Sequence, residues 1–149
     1  MKKNSRSAFR APKSLVVVVH TLDEKKAEDL KVLDVRAQSS LTDYLVLATG
    51  TSGPHLRALR TELEKALDGA KVSIVGVEST EGSGWTVFDA FEVMVHLFTA
   101  ETRAKYRLEL LWKDAVDVPI DRLIAKTANA GLSRRSKILK AKAVGDAKA

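Results

Sequence analysis

The sequence predicts an α/β (α+β) protein in which a mixed β-sheet is flanked by helices. Short apolar runs rich in β-branched residues recur along the chain, as strands do, and stretches with apolar residues at helical spacing separate the early runs. The later runs follow one another across short turns, which is typical of antiparallel strands. Strands that first alternate with helices and then pair as a meander give a sheet with parallel and antiparallel neighbours.

Length and composition limit the classes of protein that this chain can represent. At 149 residues we expect one domain with tails. The chain has no cysteine, which excludes disulfides, thiolate metal sites and thiol nucleophiles and suits a reducing compartment. No apolar run approaches the ~20 residues that a membrane-spanning helix needs, so we expect no membrane partner.

Charge is distributed unevenly along the chain, whose net charge is +6. Residues 1–13 contain five Lys or Arg and no acid, and residues 116–149 carry eight Lys or Arg against three Asp. Residues 14–115 have twelve Lys or Arg against sixteen Asp or Glu. An acidic body with basic ends indicates that the body meets a basic protein while the tails contact phosphate. We interpret residues 1–13 as a basic disordered tail, with an organelle-targeting segment as the alternative.

The first half of the chain predicts a helix or strand, two further strands and a helix. Residues 14–29 are ambiguous, because their valines favour a strand while their apolar residues also follow one helical face. Leu30–Val35 predicts a strand, and Tyr44–Thr49 predicts a strand that is buried on both faces. Ser52 then suits the N-cap of an amphipathic helix, which we expect Gly69 to close.

The second half predicts three strands and a closing helix. We expect a strand at Ser73–Val77, a turn at residues 78–84, and antiparallel strands at Trp85–Phe88 and Glu92–Phe98. Helical spacing of apolar residues predicts one helix from Ala100 to Asp114.

The composition changes after residue 115. We expect residues 116–130 to fold back on the domain through their apolar side chains. Residues 131–149 are rich in Ala, Lys and Arg with a single acid, which predicts a flexible basic tail.

The residues do not predict an enzyme. Gly50–Ser52 lies between a buried strand and a helix, where phosphate binds in many folds, including that of nucleotidyltransferases. Those enzymes also need paired carboxylates on the next strand to hold two metal ions, and here Glu78 stands alone, with Glu81 in the turn beyond. His96 lies in an apolar strand and predicts a hydrogen-bonded core histidine rather than a catalytic one. We therefore expect no catalytic residue, metal or cofactor, with a nucleotidyltransferase-type enzyme as the remote alternative.

The aromatic residues concentrate between Gly84 and Trp112, which makes this stretch the candidate binding region. Trp85 and Asp89 are an even number of positions apart, so they face the same side of an extended strand. Phe88 faces the other side unless the turn has begun there.

The following segment adds a second aromatic–acid pair. Tyr106 and Glu109 are three positions apart and are neighbours if the helix is continuous. Apolar anchors beside acids suit a basic protein surface. Trp85 is equally compatible with a core position, and for Trp112 we favour the core.

Several short motifs, in their order and spacing, resemble the ribosomal silencing factor family (RsfS, or Iojap-like proteins). The resemblance covers residues 14–115. It rests on residues 26–29, 32–35, 41–44, 48–52, 76–78, 95–98 and 108–112, together with Trp85, Asp89, Arg103 and Tyr106. Ser79 and Phe91 depart from it, because many members have glycine there.

The resemblance implies a ribosome-binding domain with a nucleotidyltransferase-like fold that lacks the catalytic acids, and a helix at residues 14–28. It implies binding to the large ribosomal subunit through its ribosomal protein number fourteen, which sterically blocks joining of the small subunit and represses translation. A role in large-subunit assembly is the alternative. The contact positions that it implies are Glu78, Trp85, Phe88, Asp89, Tyr106 and Glu109.

The compartment, the contacts of the basic tails and the oligomeric state are further expectations. We expect a cytoplasmic protein, with an organelle matrix as the alternative. The basic tails are expected to contact ribosomal RNA through charge. A binding face that is exposed in the free protein can pair with a second copy of the chain, so a homodimer is an alternative assembly.

Overall fold

A six-stranded mixed sheet dominates the computed structural model, which describes residues 11–79 and 82–124. In chain order the elements are α1 (Lys13–Glu24), β1 (Glu28–Asp34), β2 (Tyr44–Gly50), α2 (Gly53–Gly69), β3 (Gly76–Ser79), β4 (Trp85–Asp89), β5 (Val93–Thr99), α3 (Ala100–Tyr106), α4 (Leu108–Leu111) and β6 (Val116–Asp117). The strands lie in the order β3-β4-β5-β2-β1-β6, in which β2 and β5 run parallel and the other neighbours pair antiparallel. This confirms the predicted mixed sheet with flanking helices.

The ambiguous first segment is a helix, as the family resemblance implies, but it ends at Glu24 instead of residue 28, since Glu28 already belongs to β1. Leu15, Val18, Val19 and Leu22 are buried along one side of α1. Burial of this apolar face outweighs the modest strand preference of valine, because propensities differ by less than the energy of packing a helix face.

Helices cover the sheet unequally on its two sides. On one side, α1 and α2 pack on the sheet and form the larger core, which includes Val46, Leu59, Phe88 and Val95. On the other side, a smaller cluster lies under α4 and contains Leu33, Val35, Leu45, Leu47 and Phe98. All seven residues of β2 are buried, which confirms the prediction of a strand covered on both faces.

Both ends of α2 lie where the sequence places them, although Gly69 does not supply the left-handed residue that follows the helix. The Ser52 hydroxyl accepts a hydrogen bond from the His55 amide at 3.1 Å, which confirms the predicted N-cap. A Cβ at Gly50 would lie 2.8 Å from a methyl carbon of Leu56, so glycine permits this close approach of the strand to the helix. Gly69 is the last helical residue, and the left-handed residue after the helix is Lys71, with φ of 61°.

Two element boundaries differ from the prediction. Strand β3 spans Gly76–Ser79 instead of residues 73–77, because its position is determined by pairing with β4, where Gly76 opposes Asp89. The predicted single helix from Ala100 to Asp114 is two helices, since Arg107 adopts a left-handed conformation with φ of 46° and ends α3. Tyr106 and Glu109 therefore do not lie on one continuous helix.

Residues before and after the range 14–115 also pack on the domain. Ala11 contacts the larger core, and β6 pairs with β1. Val118 and Leu123 are buried, so the fold-back segment lies against the domain as far as it is described. The tail predictions for residues 1–10 and 125–149 lie outside the described residues. No helix in the described part of the chain is long and apolar enough to cross a membrane.

Candidate protein-binding surface

One side of strand β4 is buried and the other is half-exposed. Thr86 and Phe88 are buried, whereas Trp85, Val87 and Asp89 are only partly covered. Neighbouring strands continue the half-exposed side, because Glu78 opposes Val87 and Met94 opposes Asp89. We call this the open sheet face: Glu78, Trp85, Val87, Asp89 and Met94.

Trp85 contributes both to the smaller core and to the open sheet face. Its ring centroid lies 5.6 Å from that of Phe98, inside the smaller cluster, and 4.8 Å from that of Tyr106, whose side chain is 51% exposed. Its indole Nε1 donates a hydrogen bond to His96 Nδ1 at 3.1 Å. The indole is therefore anchored on one side and remains available at its edge, which suits a rigid contact residue.

His96 is a core residue that orients Trp85. It is 9% exposed, and burial lowers its pKa from 6.5 to about 4. The neutral ring can accept the indole hydrogen bond, whereas protonation of Nδ1 would abolish it. This confirms the predicted hydrogen-bonded core histidine.

Phe88 does not belong to the surface. Its side chain is 0% exposed and packs in the larger core under the helices. Because residues along a strand alternate between faces, placing Trp85 and Asp89 on the open side puts Phe88 on the covered side. The expectation that Phe88 contacts a partner is thus wrong for this conformation.

Asp89 has an internal role at the edge of the surface. Its Oδ1 accepts a hydrogen bond at 3.0 Å from the amide of Phe91, at the tip of the β4–β5 hairpin. Phe91 has φ of 73° and a 73% exposed side chain, an unusual conformation for a large residue. The Asp89 carboxylate therefore supports a strained turn in addition to lying on the open sheet face.

Glu109 is held by Arg103 instead of pointing freely to a partner. The Arg103 guanidinium donates to Glu109 Oε2 from two nitrogens, at 2.6 and 2.9 Å. Its Nη1 also donates to the Asp29 carbonyl at 2.7 Å and to Thr49 Oγ1 at 2.8 Å. Burial raises the pKa of Glu109, but the hydrogen bond and charge of Arg103 outweigh it and leave that pKa below its ordinary value. This network joins α3 and α4 to the sheet.

The structure brings together four of the six residues that the sequence singled out. Glu78, Trp85 and Asp89 share the open sheet face, and Tyr106 packs against Trp85. The other two are Phe88, which is buried, and Glu109, which lies in the Arg103 network. Sequence reasoning missed Val87 and Met94. Val87 was detectable, because it lies midway between two residues already assigned to that face.

The exposed leucines of α4 were also missed. Leu110 and Leu111 are 57% and 70% exposed. Their exposure follows from the helix break at Arg107, and the apolar spacing in the sequence did not indicate that break.

The described residues hold no group of acids and histidines that could bind a metal ion. The Gly50–Ser52 turn uses its donors internally, because the Thr51 amide donates to His55 Nδ1 at 2.9 Å. Glu81, the second acid considered for metal binding, lies outside the described residues.

The described residues thus form an α+β domain whose half-exposed sheet face carries aromatic and acidic side chains. Comparison with known proteins specifies the family. Residues 8–145 match the sequence model described as "Ribosomal silencing factor during starvation", so the chain belongs to the ribosomal silencing factor (RsfS) family.

Individual relatives agree with this assignment. The chain is similar to the ribosomal silencing factor RsfS of Halalkalibacterium halodurans, with 32% identity over 74% of this chain and 95% of the relative. It is also similar to mouse "Mitochondrial assembly of ribosomal large subunit protein 1", with 33% identity over 64% of this chain and 43% of the relative. A crystal structure of a Chromobacterium violaceum protein superposes with a TM-score of 0.66 at 30% identity, covering 70% of this chain and 88% of that chain.

Proposed function

We propose that this chain is a ribosomal silencing factor that binds the large ribosomal subunit through the open sheet face. Its partner there is the large subunit's ribosomal protein number fourteen, at the surface that the small subunit approaches. Occupation of that surface blocks subunit joining by steric exclusion and thereby represses translation, and no catalytic step is needed. The protein then acts wherever its ribosomes are, which for a bacterial-type factor is the cytoplasm and for an organelle form the matrix.

The anchored but accessible Trp85 is the observation that carries this proposal. Trp85 is held by His96 and packs against the exposed Tyr106. A pre-oriented aromatic edge loses little conformational freedom on binding, so more of its contact energy appears as affinity. Glu78 and Asp89 flank it, and their charges complement the basic surfaces of ribosomal proteins.

A subunit-joining assay with purified ribosomal subunits tests the proposal. The wild-type chain should co-sediment with large subunits and prevent formation of the joined ribosome. Glu78→Lys with Tyr106→Ala should weaken binding by tenfold or more (~1.4 kcal/mol or more) and restore joining, because both side chains are exposed on the proposed contact surface. Tyr106 packs on Trp85, so circular dichroism of the double variant checks that it stays folded. Asp68→Lys is the matched control, because it makes the same charge change at an exposed position of α2, on the opposite side of the sheet.

Failure of the wild-type chain to bind large subunits would contradict the proposal. Binding to mature large subunits that still join small subunits would favour the second candidate, a large-subunit assembly factor, which the name of the mouse relative supports. Depletion of the protein should then cause immature large particles to accumulate. Sedimentation of the free protein would show whether the open sheet face also forms a homodimer.

We also propose that the basic tail contacts ribosomal RNA. Residues 131–149 carry six Lys or Arg and one acid. Deletion of this range should lower affinity for the large subunit and flatten its salt dependence, since each phosphate contact releases counterions. An unchanged affinity and salt slope would refute the contact.

A further inference from the structure

A cavity of about 380 Å³ lies between the first turns of α2 and the segment that leads into β4. This volume is within the ~300–1,000 Å³ typical of small-ligand pockets. Leu56 supplies an apolar side chain to its wall, and Trp85 is also among the lining residues. The Trp85 ring packs with Phe98 and Tyr106 on the open sheet face, whereas Arg57 and Arg60 lie on α2, so the cavity is distinct from that face.

The polar lining of the cavity is suited to an anion. Arg57 and Arg60 lie one helical turn apart on α2. The lining hydroxyls already have partners, because Ser79 and Thr86 bond to each other at 3.0 Å and Thr99 bonds to Thr102, so the two arginines are the groups that bind an anion. No acid is among the described lining residues. The Arg60 guanidinium is shared with Glu64 at 3.5 Å, whereas no ion pair of Arg57 occurs in the described part of the chain. Guanidinium groups match the geometry of phosphate oxygens and donate to them in pairs.

The wall formed by Ser83 and Gly84 is held in place by hydrogen bonds within the protein. The carbonyl of Gly84 accepts a hydrogen bond from the Thr99 amide at 3.0 Å, and Thr102 Oγ1 donates to the Ser83 carbonyl at 3.3 Å. Gly84 has φ of 71°, and a Cβ there would lie 2.8 Å from Thr102 Oγ1, so the segment is packed tightly on the start of α3. Preformed walls reduce the ordering cost of binding a small molecule.

We propose that this cavity binds a phosphate-bearing small ligand of mononucleotide size. The phosphate lies between Arg57 and Arg60, and the remainder of the ligand packs on Leu56 and against the chain at residues 84–86. A nucleotide within an RNA chain presents the same phosphate chemistry, and the experiment below separates the two sources. This site does not depend on the proposed ribosome function.

The test uses the full chain and follows the backbone amide signals of Gly82, Gly84 and Thr86, which line the cavity, by NMR during titration with AMP. We expect saturable shifts and a dissociation constant in the micromolar to low millimolar range. Arg57→Gln with Arg60→Gln should weaken AMP binding by tenfold or more and leave the thermal midpoint nearly unchanged, because exposed side chains contribute little to stability. Arg122→Gln, which removes an equally exposed arginine elsewhere, is the control and should bind AMP like the wild type.

The outcomes that overturn the proposal are distinct. No saturable shift at millimolar AMP, or equal binding by the double variant, would show that the cavity is not a phosphate site. Binding of a short oligoadenylate but not of AMP, lost in the double variant, would assign the phosphate to RNA and overturn the small-ligand proposal. Dependence on Arg57 and Arg60 is the deciding readout, since the basic tails also attract polyanions.

Discussion

Mild acid should destabilise this protein through His96. Burial lowers the pKa of His96 from 6.5 to about 4, so the folded protein keeps a neutral ring while the unfolded chain binds a proton below pH 6.5. Stability is therefore independent of this group above pH 6.5, falls as the pH drops below that value, and levels off below about pH 4. The neutral ring is also the form that accepts the Trp85 hydrogen bond.

The magnitude follows from the separation of the two pKa values. Each unit is worth about 1.4 kcal/mol, so the complete effect is about 3 kcal/mol. Between pH 7.5 and 5.0 the free energy of unfolding should fall by about 2 kcal/mol. The fold lowers the pKa values of the Asp34 and Glu109 carboxyl groups, so these two groups titrate below this pH range. The change in stability between pH 7.5 and 5.0 is therefore assigned to His96.

Urea unfolding followed by far-UV circular dichroism at pH 7.5, 6.0 and 5.0 measures this slope. His96→Asn is the matched variant, because it does not titrate and its amide oxygen can accept the Trp85 hydrogen bond. We expect the variant to lose most of the pH dependence, whatever its stability at pH 7.5. Equal slopes for the two proteins, or an NMR titration of His96 with a midpoint near 6.5, would refute the reasoning.

Three further changes test other parts of the structure, each by urea unfolding at pH 7.5. Arg103→Met should lower the free energy of unfolding by about 2–4 kcal/mol, because it leaves Glu109 and two further acceptors without their donor. Arg60→Met, the control, should lower it by less than about 1 kcal/mol. Equal losses would show that the Arg103 network contributes no more than an exposed ion pair. Phe91→Gly should be about 1 kcal/mol more stable than Phe91→Ala, since φ is 73° there, and the reverse order would exclude backbone strain. Ser52→Ala should cost about 1 kcal/mol by removing the N-cap of α2, and no loss would show that the cap bond contributes nothing.

Local chemistry allowed several features to be predicted. A continuous apolar run identified β2 as buried on both faces, and Ser52 identified the start of α2. Even spacing placed Trp85 and Asp89 on one side of β4. The same parity argument also excludes Phe88 from that side, so keeping Phe88 as a contact was an error that the sequence itself could have prevented.

The sequence by itself determined the strand or helix type of most segments after residue 29, the alternation of faces along β4, and the family to which the chain belongs, because these depend on residue type and spacing over a few positions. The residue pattern left α1 open between strand and helix, and only the tertiary structure decided that β3 begins at Gly76 and that Arg107 breaks the closing helix. Two of these features depend on partners distant in the chain, because α1 packs on the larger core and the register with β4 fixes the start of β3. Long-range packing and hydrogen bonding exceed local preferences of a few tenths of a kcal/mol per residue, and local patterns do not encode them.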